Sequence, residues 1–474
     1  MRELIARGLG GGEVVLQALE VTALKAKLRG QLITAEDLDY EMSRRVWNKA
    51  IDRRPALIIR PAETADVVRA VGFAREKELL MTIRGGGHDV SGNAVADRGL
   101  MLDLSRLKAI AVDPKTSTAR AQPGLVWAEF DRATQEFGLA TPSGMVSTTG
   151  IAGLTLGGGV GWLSRRFGLS CDNLVEVEVV TADARVCRAS EAENPELFWA
   201  IRGAGHNFGV VTEFAYQLHQ VGPEVMAGMV FYPLVEARQA LRAYREYVAG
   251  APNELTVNVM VGGALRLEFL PAEVHGQPGV ALIGLYRGEA ETGQQLLSQL
   301  AEFARPWGSH FGPVPYLAWK EAFSGDAKPG AFNYWKGHLL GELPDGLIEL
   351  LVEFGSQLPT AGSGILADHL GGKIRSGSDS AIFGLRQAAF TLTALGRWGE
   401  AGEEEAVREW AKRFWAAARP YATGSNYINY LGPDDLDRAP EAYGPNYERL
   451  ARLKARWDPE NFFRMNANIL PAQG

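Results

Sequence analysis

Residues 82–92 read TIRGGGHDVSG, and this stretch decides how the first part of the chain folds. It ends a run in which ALIIR (56–60), ETADVVRAVGFAREKE (63–78) and LLMTIR (79–84) predict a strand, an amphipathic helix and a second strand. The three glycines then predict a loop in which the backbone adopts positive φ and closely approaches a neighbour. Backbone N–H groups arranged in this way suit a nucleotide pyrophosphate.

The segments that follow extend this unit into a mixed α and β region. Alternating residues on both sides of a turn predict hairpins, and apolar spacing after a start signal predicts helices. The hairpins are expected at 109–124 and 173–190, the helices at 126–138 and 194–203, and further strands at 99–105 and 209–219.

The composition of the chain changes near residue 222, where the glycine clusters end. TVNVMV (256–261) and LRLEFL (265–270) alternate as strands do, and EARQALRAYREYVAG (236–250) predicts a helix between strands. We therefore predict four segments and a fold of the α+β class. They are an N-terminal extension (1–44), a first domain (45–221), a middle domain (222–418) and a closing segment (419–474). The closing segment is expected to return to the first domain and to cover the core without forming it.

Charge and cysteine content exclude several classes of protein. The 474 residues include 49 Lys and Arg against 56 Asp and Glu, so no basic excess is present to bind nucleic acid. Two cysteines are too few for a disulfide framework or a zinc site, and neither a signal peptide nor a membrane span is evident. We expect a cytoplasmic protein without a metal.

The second glycine-rich stretch, SGMVSTTGIAGLTLGGGVGWLSRRFG (143–168), offers backbone N–H groups and hydroxyl donors. Neither glycine region matches the G-x-G-x-x-G pattern that opens a helix, and no Walker A lysine is present. A packed turn remains an alternative for this stretch. Likewise, an isolated histidine such as His88 is usually structural, and an arginine at a strand end such as Arg84 is usually a surface residue.

Four long motifs occur in order along the chain: TIRGGGHDVSG (82–92), TTGIAGLTLGGGVGWLSRRFGLSCDNL (148–174), ELFWAIRGAGHNFGVVTEF (196–214) and NYINYLG (426–432) with YGPNYERLARLKARWDPENFFRMNANI (443–469). Together they resemble the berberine-bridge-enzyme-like branch of the vanillyl-alcohol-oxidase superfamily. The resemblance implies a two-part FAD-binding domain of the PCMH type and a substrate domain whose antiparallel sheet is covered by helices.

The resemblance also implies how the flavin is held. His88 matches the histidine that bonds covalently to the 8α methyl of the flavin, and Val146 stands where many relatives have a second linking cysteine, so a single attachment is expected. Cys171 is then an ordinary packed thiol. The positions matched to FAD binding are Arg84, Gly85, Gly86, Gly87, His88, Gly144, Met145, Thr148, Thr149, Gly150, Gly153, Gly159, Val160, Val211, Asn429, Asn466 and Asn468.

Tyr430 matches the tyrosine proposed as catalytic base in the family. Because a phenol titrates near a pKa of ~10, it needs a cationic or hydrogen-bonding neighbour that favours the phenolate. An exposed or packed tyrosine is the alternative. Asn429, Asn466 and Asn468 are expected to bond the ring or the loop, whereas Ala467 replaces a frequent family glutamine.

The implied reaction takes a hydride from an alcohol or amine carbon of a small molecule to FAD, and dioxygen then reoxidises the flavin to give hydrogen peroxide. Thr149 matches a position thought to control oxygen access. A dehydrogenase with another electron acceptor, a natural-product tailoring enzyme and a flavin carrier without chemistry remain alternatives. Residues expected to line a substrate pocket are Tyr334, Trp335, Lys336, His338, His369 and Arg386.

Overall fold

The structure of the protein is a computed structural model that describes residues 3–324, 330–377 and 379–473. Residues 1, 2 and 474, at the ends of the predicted segments 1–44 and 419–474, lie outside the described part. The described residues contain none of the long apolar helices that a membrane crossing requires.

Twenty strands lie within the described residues: β1 Leu4–Arg7, β2 Glu13–Leu16, β3 Gln31–Ile33, β4 Leu57–Arg60, β5 Met81–Arg84, β6 Leu100–Asp103, β7 Ile110–Asp113, β8 Thr118–Ala121, β9 Leu139–Ala140, β10 Leu174–Val180, β11 Val186–Ser190, β12 Val210–Gln217, β13 His219–Gln220, β14 Glu224–Pro233, β15 Leu255–Gly263, β16 Pro278–Tyr286, β17 Gly308–Pro315, β18 Phe332–Leu340, β19 Gly364–Ala367 and β20 Phe390–Trp398.

Fifteen α-helices are found in the same ranges: α1 Ala18–Lys27, α2 Tyr40–Ser43, α3 Thr64–Glu76, α4 Trp127–Gln135, α5 Ile151–Leu156, α6 Ser164–Phe167, α7 Pro195–Ala204, α8 Ala237–Ala249, α9 Ala290–Gln299, α10 Tyr316–Ala322, α11 Asp345–Gly355, α12 Gly384–Gln387, α13 Glu404–Ala418, α14 Ala439–Tyr443 and α15 Tyr447–Trp457.

The first sheet has the strand order β3, β4, β6, β5. β6 pairs in parallel with both β4 and β5, and α3 is the crossover that a parallel connection requires. α3 buries Val67 and Val71 in the same core as Ile59. The predicted strand–helix–strand unit is confirmed, and the glycines at 85–87 follow directly on β5. The N-terminal hairpin of β1 and β2 contributes Ala6 and Leu16 to this core.

The second sheet is antiparallel, in the order β11, β10, β12, β8, β7. Both predicted hairpins are present in it, and α4, α5 and α7 pack against its apolar face through Phe130, Ile151 and Phe198. The two sheets form the two parts of the predicted FAD-binding domain. Both glycine-rich stretches lie at their junction, because one follows β5 of the first sheet and the other leads into α5 beside the second.

The middle part of the chain forms a seven-stranded antiparallel sheet in the order β17, β14, β16, β15, β19, β20, β18. α8, α11 and α13 cover one face, where Leu241, Leu351 and Phe414 pack on strand residues such as Leu392. The helix-covered antiparallel sheet expected from the family resemblance is confirmed. The opposite face of β18, β19 and β20 is turned toward the glycine-rich loops of the first part.

Two sequence predictions about the middle and closing parts are wrong. LRLEFL (265–270) is not a strand, because Leu270 N bonds Leu267 O at 3.0 Å in a turn that follows β15. Residues 419–474 are more than a cover. Tyr427, Tyr443 and Leu450 are at most 5% exposed and belong to the same core as the second sheet. The chain therefore returns to complete a core that it began before the middle part.

Candidate active site

The two glycine-rich stretches meet at Gly86 and Gly150. A Cβ at Gly86 would lie 2.6 Å from both the N and the Cα of Gly150, so only glycine permits this approach. Gly87 has a φ of +67°, in the left-handed region, which turns the chain toward His88. The loop Gly85 to Gly87 is thus held against the first residue before α5, and the predicted close approach of backbone is to the second glycine stretch itself.

Arg84 is engaged with the protein. Its Nη1 donates to Ser43 O at 2.7 Å and lies 3.9 Å from Asp103 Oδ2. Among the described residues its buried Nε has no partner. The guanidinium therefore anchors the end of β5 to α2 and β6, and its buried Nε is available to donate toward a ligand.

His88 lies in an aromatic and largely desolvated environment. Its imidazole stacks on the indole of Trp47, with ring centroids 4.2 Å apart and an interplanar angle of 17°. Thr148 Oγ1 is 3.4 Å from His88 Nε2. Burial, and to a smaller degree the charge of Arg397, lower the pKa of His88 to about 4. The ring is neutral at physiological pH and keeps a nitrogen lone pair.

The second glycine-rich stretch, from Gly144 to Gly153, is held in place by hydrogen bonds from the first turn of α4. Trp127 N donates to Thr149 O at 2.9 Å, and Ala128 N donates to Ser147 O at 2.8 Å. Met145 O accepts from Trp162 Nε1 at 3.2 Å. A Cβ at Gly153 would meet nothing within 4 Å, so this side of the stretch faces open space.

The closing segment ties this stretch to the candidate catalytic tyrosine. Gly159 N and Val160 N both donate to Tyr427 Oη at 3.2 Å. Asn429 Nδ2 donates to Leu154 O and to Tyr427 Oη, each at 2.9 Å. Asn429 therefore positions the loop, as one of its two predicted roles requires.

Asn466 and Asn468, near the C-terminus, have side-chain oxygens that are available as hydrogen-bond acceptors. Asn466 Nδ2 donates to His206 O at 2.7 Å. The side-chain oxygens of Asn466 and Asn468 are buried and accept no hydrogen bond from any described residue. Buried acceptors without a donor are costly, so a bound group with N–H or O–H donors would stabilise them. Val211 differs, because it is buried in β12 within the core of the second sheet.

Tyr430 donates its hydroxyl to Asp368 Oδ2 at 3.0 Å, and Thr391 Oγ1 donates to the same oxygen at 2.6 Å. Asp368 is fully buried, and Oδ1 has no partner among the described residues. Burial raises the pKa of Asp368, which the two hydrogen bonds partly offset. Burial and the negative charge of Asp368 raise the pKa of Tyr430 well above its ordinary value. The neighbour of Tyr430 is thus a proton acceptor that disfavours the phenolate.

A row of aromatic rings joins His88 to Tyr430. Trp47, stacked on His88, meets the edge of Trp335 at 5.7 Å, and Trp335 meets Tyr430 at 5.8 Å with perpendicular planes. Trp335 is half-buried. The row places the candidate attachment residue and the candidate base along one wall, built from the first part, the middle sheet and the closing segment.

The other candidates from NYWKGHLL need correction, because side chains alternate between the two faces of β18. Tyr334 Oη donates to Asp434 at 2.5 Å and its ring lies in the core beneath α13. Lys336 pairs with Asp435 at 2.8 Å and lies over Trp415. Both therefore face the helices, whereas Trp335 faces the site.

His338 also points to α13, where its ring stacks on Trp415 and Nε2 lies 2.9 Å from Trp415 O. It also lines a small cleft that Tyr430 borders. His338 was predicted to line the substrate pocket, but it comes near Tyr430 only across this cleft.

His369 and Arg386 differ in how near they come to the tyrosine. His369 follows Asp368 directly, is 5% exposed and stacks near Phe390, and burial lowers its pKa well below the usual value. Arg386 pairs with Asp172 at 2.6 Å and donates to Ser380 Oγ at 2.6 Å. Arg386 therefore links the first and middle parts through a structural ion pair. The prediction that it contacts the substrate is wrong.

Two residues of the site escaped the sequence analysis. Asp368 stands in ADHLGGK, next to the predicted His369, and a carboxylate beside a predicted site residue was the available signal. Trp47 has no local signal, because it lies in an irregular stretch before β4. The thiol of Cys171 is buried and burial raises its pKa well above the ordinary value, as expected for a packed thiol.

Comparison with known proteins agrees with this architecture. The family described as FAD binding domain matches residues 55–190, and the family described as berberine and berberine like matches residues 426–470. An FAD-linked oxidoreductase of Dictyostelium discoideum is 32% identical over 93% of this chain and 94% of the relative. (R)-6-hydroxynicotine oxidase of Paenarthrobacter nicotinovorans is 29% identical over 95% of this chain and 98% of the relative.

Solved structures show the same fold. The crystal structure of 6-hydroxy-D-nicotine oxidase from Arthrobacter nicotinovorans has a TM-score of 0.84 at 27% identity and covers 94% of this chain and 99% of its own. The berberine-bridge-enzyme-like protein 1 of Physcomitrella patens has a TM-score of 0.86 at 22% identity, covering 96% and 99%. The chain belongs to the FAD-linked oxidoreductases of the berberine-bridge-enzyme-like family.

Proposed function

We propose that this protein is an oxidase that holds FAD through one covalent bond to His88 and oxidises a CH–OH or CH–NH carbon of a small molecule. The hydrogen bond from Tyr430 to the buried Asp368 carries the proposal, since it supplies a proton acceptor at one end of the aromatic row that begins at His88.

The residues present fit FAD. The glycine loop at 85–87 brings backbone close to the second glycine stretch, Gly153 faces open space, and Asn466 and Asn468 hold unpaired acceptor oxygens. When bound, FAD supplies the acceptor for a hydride. Val146 occupies the position of the second linking cysteine and has no thiol. We therefore propose His88 as the single attachment residue.

Asp368 and Tyr430 share the proton chemistry. Because the pKa of Tyr430 is raised, the phenol is protonated before reaction. We infer that Tyr430 Oη takes the proton of the substrate O–H or N–H while its own proton passes to Asp368 Oδ2. The raised pKa of Asp368 makes the carboxyl a better resting place for that proton than an exposed aspartate.

The aromatic row gives the substrate a wall. We infer that the rings of Trp335 and Tyr430 exclude water from the reacting carbon. Apolar surroundings of this kind also strengthen the hydrogen bond between Tyr430 and Asp368. Dioxygen as the electron acceptor is supported by the similarity to (R)-6-hydroxynicotine oxidase and 6-hydroxy-D-nicotine oxidase, which are oxidases.

Two measurements test the proposal. The mass of the denatured protein, followed by peptide mapping, is expected to show one FAD on the peptide that contains His88, and Val146 should carry none. Oligosaccharides, secondary alcohols and cyclic amines are then screened for oxygen uptake with equimolar peroxide. A polypeptide without bound flavin contradicts the attachment, and substrate turnover only with an artificial acceptor identifies a dehydrogenase in place of an oxidase.

A further inference from the structure

Trp47 is fixed beside the loop of His88 by its own backbone and by the residue that follows it. Trp47 N donates to Gly87 O at 2.8 Å, and the side chain of the next residue, Asn48, donates to Val90 O at 2.8 Å. The indole is 4% exposed and backed by the edge of Trp335. Neither ring of the stacked pair can rotate without breaking these contacts.

Asn48 also joins this arrangement to the middle sheet. Its Nδ2 donates to Asn333 O at 3.0 Å and its Oδ1 accepts from Asn333 N at 2.9 Å. Asn333 lies on β18, two residues before Trp335. The plane of the His88 imidazole is therefore set by the middle sheet, through Asn48 and Trp47, as well as by its own loop.

Covalent attachment makes specific demands on His88. A C–N bond forms between a ring nitrogen and the 8α methyl carbon, while one C–H bond of that methyl and the remaining N–H bond of the imidazole break. Both hydrogens and two electrons pass to the isoalloxazine, which is reduced, and dioxygen takes the electrons up to give hydrogen peroxide. The ring nitrogen must be unprotonated and must point at the methyl carbon.

We propose that Trp47 is a positioning residue for this attachment: its stacked indole keeps the His88 imidazole in the one plane from which a ring nitrogen reaches the flavin methyl. The inference rests on the proposed function, since it concerns the covalent bond to His88. Thr148 Oγ1 at 3.4 Å from Nε2 limits rotation within that plane, so stacking and hydrogen bonding together fix the ring.

The experiment compares Trp47→Phe and Trp47→Leu with the wild type. Phenylalanine keeps a planar face for the imidazole, whereas leucine fills space without one. Each holoprotein is precipitated with acid, and the flavin retained on the polypeptide is divided by the total flavin bound before denaturation. Total flavin reports folding and binding, and the retained fraction reports attachment alone.

We expect the wild type and W47F to retain nearly all of their flavin, and W47L to bind FAD but retain about tenfold less, since a misoriented nucleophile costs at least that factor. Equal retention in W47L and wild type overturns the inference and leaves the proposed attachment intact. A wild type that retains no flavin overturns both. If W47L binds no FAD, Trp47→Met replaces it, with the same two outcomes.

Discussion

The hydroxyl of Tyr430 donates to Asp368 Oδ2 at 3.0 Å, and the two residues come from different parts of the fold. Asp368 follows β19 of the middle sheet, and Tyr430 lies in the closing segment that returns to the first part. Asp368 is fully buried, and Tyr430 is half-buried. The proposed base is therefore complete only when the middle and closing parts are assembled.

Removing either member of the pair should slow chemistry far more than binding. We expect Asp368→Asn and Tyr430→Phe each to lower the rate of flavin reduction by about 10²- to 10⁴-fold, with little change in substrate affinity. Because they act together, the double variant should be hardly slower than either single one. Anaerobic stopped-flow bleaching of the flavin with a substrate from the screen measures this.

The chain contains a matched control for that experiment. Tyr334 donates to Asp434 at 2.5 Å on the helix-covered face of the sheet, in a second tyrosine–aspartate pair. Asp434→Asn should leave the reduction rate within about twofold of the wild type, as expected for a group outside the site. A large loss in Asp434→Asn together with an unchanged rate in Asp368→Asn would contradict the assignment of the base.

The pH dependence of the reaction should report the environment of Asp368. The carboxyl accepts a proton only when ionised, so the rate falls as pH drops through its pKa, and burial places that fall above the range of an exposed aspartate. The hydrogen bond from Thr391 lowers this pKa. Thr391→Val should therefore move the acid limb to higher pH, whereas Thr391→Ser should leave it in place. A shift to lower pH, or none, would exclude Asp368 as the titrating group.

A buried ion pair stabilises the start of the second glycine-rich stretch. Lys320 Nζ, on α10, lies 2.5 Å from Asp131 Oδ2, on α4, and both side chains are 1% exposed. Lys320 also bonds Ser143 Oγ, at the start of the stretch. Lys320→Met leaves Asp131 buried without its cation, and we expect a loss of about 3–5 kcal/mol in the free energy of unfolding.

Urea denaturation measures that loss, and the double variant Lys320→Met with Asp131→Leu provides the check. Because an apolar pair replaces the buried charges, the double variant should recover much of the lost stability. If the double variant is as unstable as Lys320→Met, the ion pair is not the cause of the loss.

Gly86 should tolerate no side chain. A Cβ there would lie 2.6 Å from the backbone of Gly150, so Gly86→Ala forces the two glycine stretches apart. We expect Gly86→Ala to bind FAD at least about tenfold more weakly, since backbone displacement alters all donors of the loop at once. Gly72→Ala is the matched control: it lies in α3 at 3.8 Å from Ala184 Cβ and should bind normally. Titration of each refolded protein with FAD compares them.

The parts of the fold that sequence predicted well are those with local signals. The unit around α3 has apolar residues at helical spacing and glycines at its exit, so its elements follow from neighbouring residues alone. LRLEFL alternates in the same manner as a strand, but Leu265 is 41% exposed and Leu270 closes a turn, because tertiary packing outweighs a six-residue pattern.

The candidate site was predictable only in part for a related reason. His88 and Tyr430 stand in dense motifs, whereas Trp47 and Asp368 join them from distant segments. Trp335 and its neighbours Tyr334 and Lys336 look alike as site residues, and only the packing of α13 decides which face of β18 is covered. Alternation predicts two faces, but it does not say which one meets the flavin loops.

The return of the closing segment bears on how the protein is made. Tyr427 and Tyr443 share a core with Phe198 of the first part, yet they leave the ribosome only after the whole middle part has been synthesised. A nascent chain that has reached residue 418 therefore exposes an apolar surface on its first domain, of the kind that chaperones bind. The core between the middle sheet and its covering helices is built from residues 226–418 and so does not wait for the closing segment.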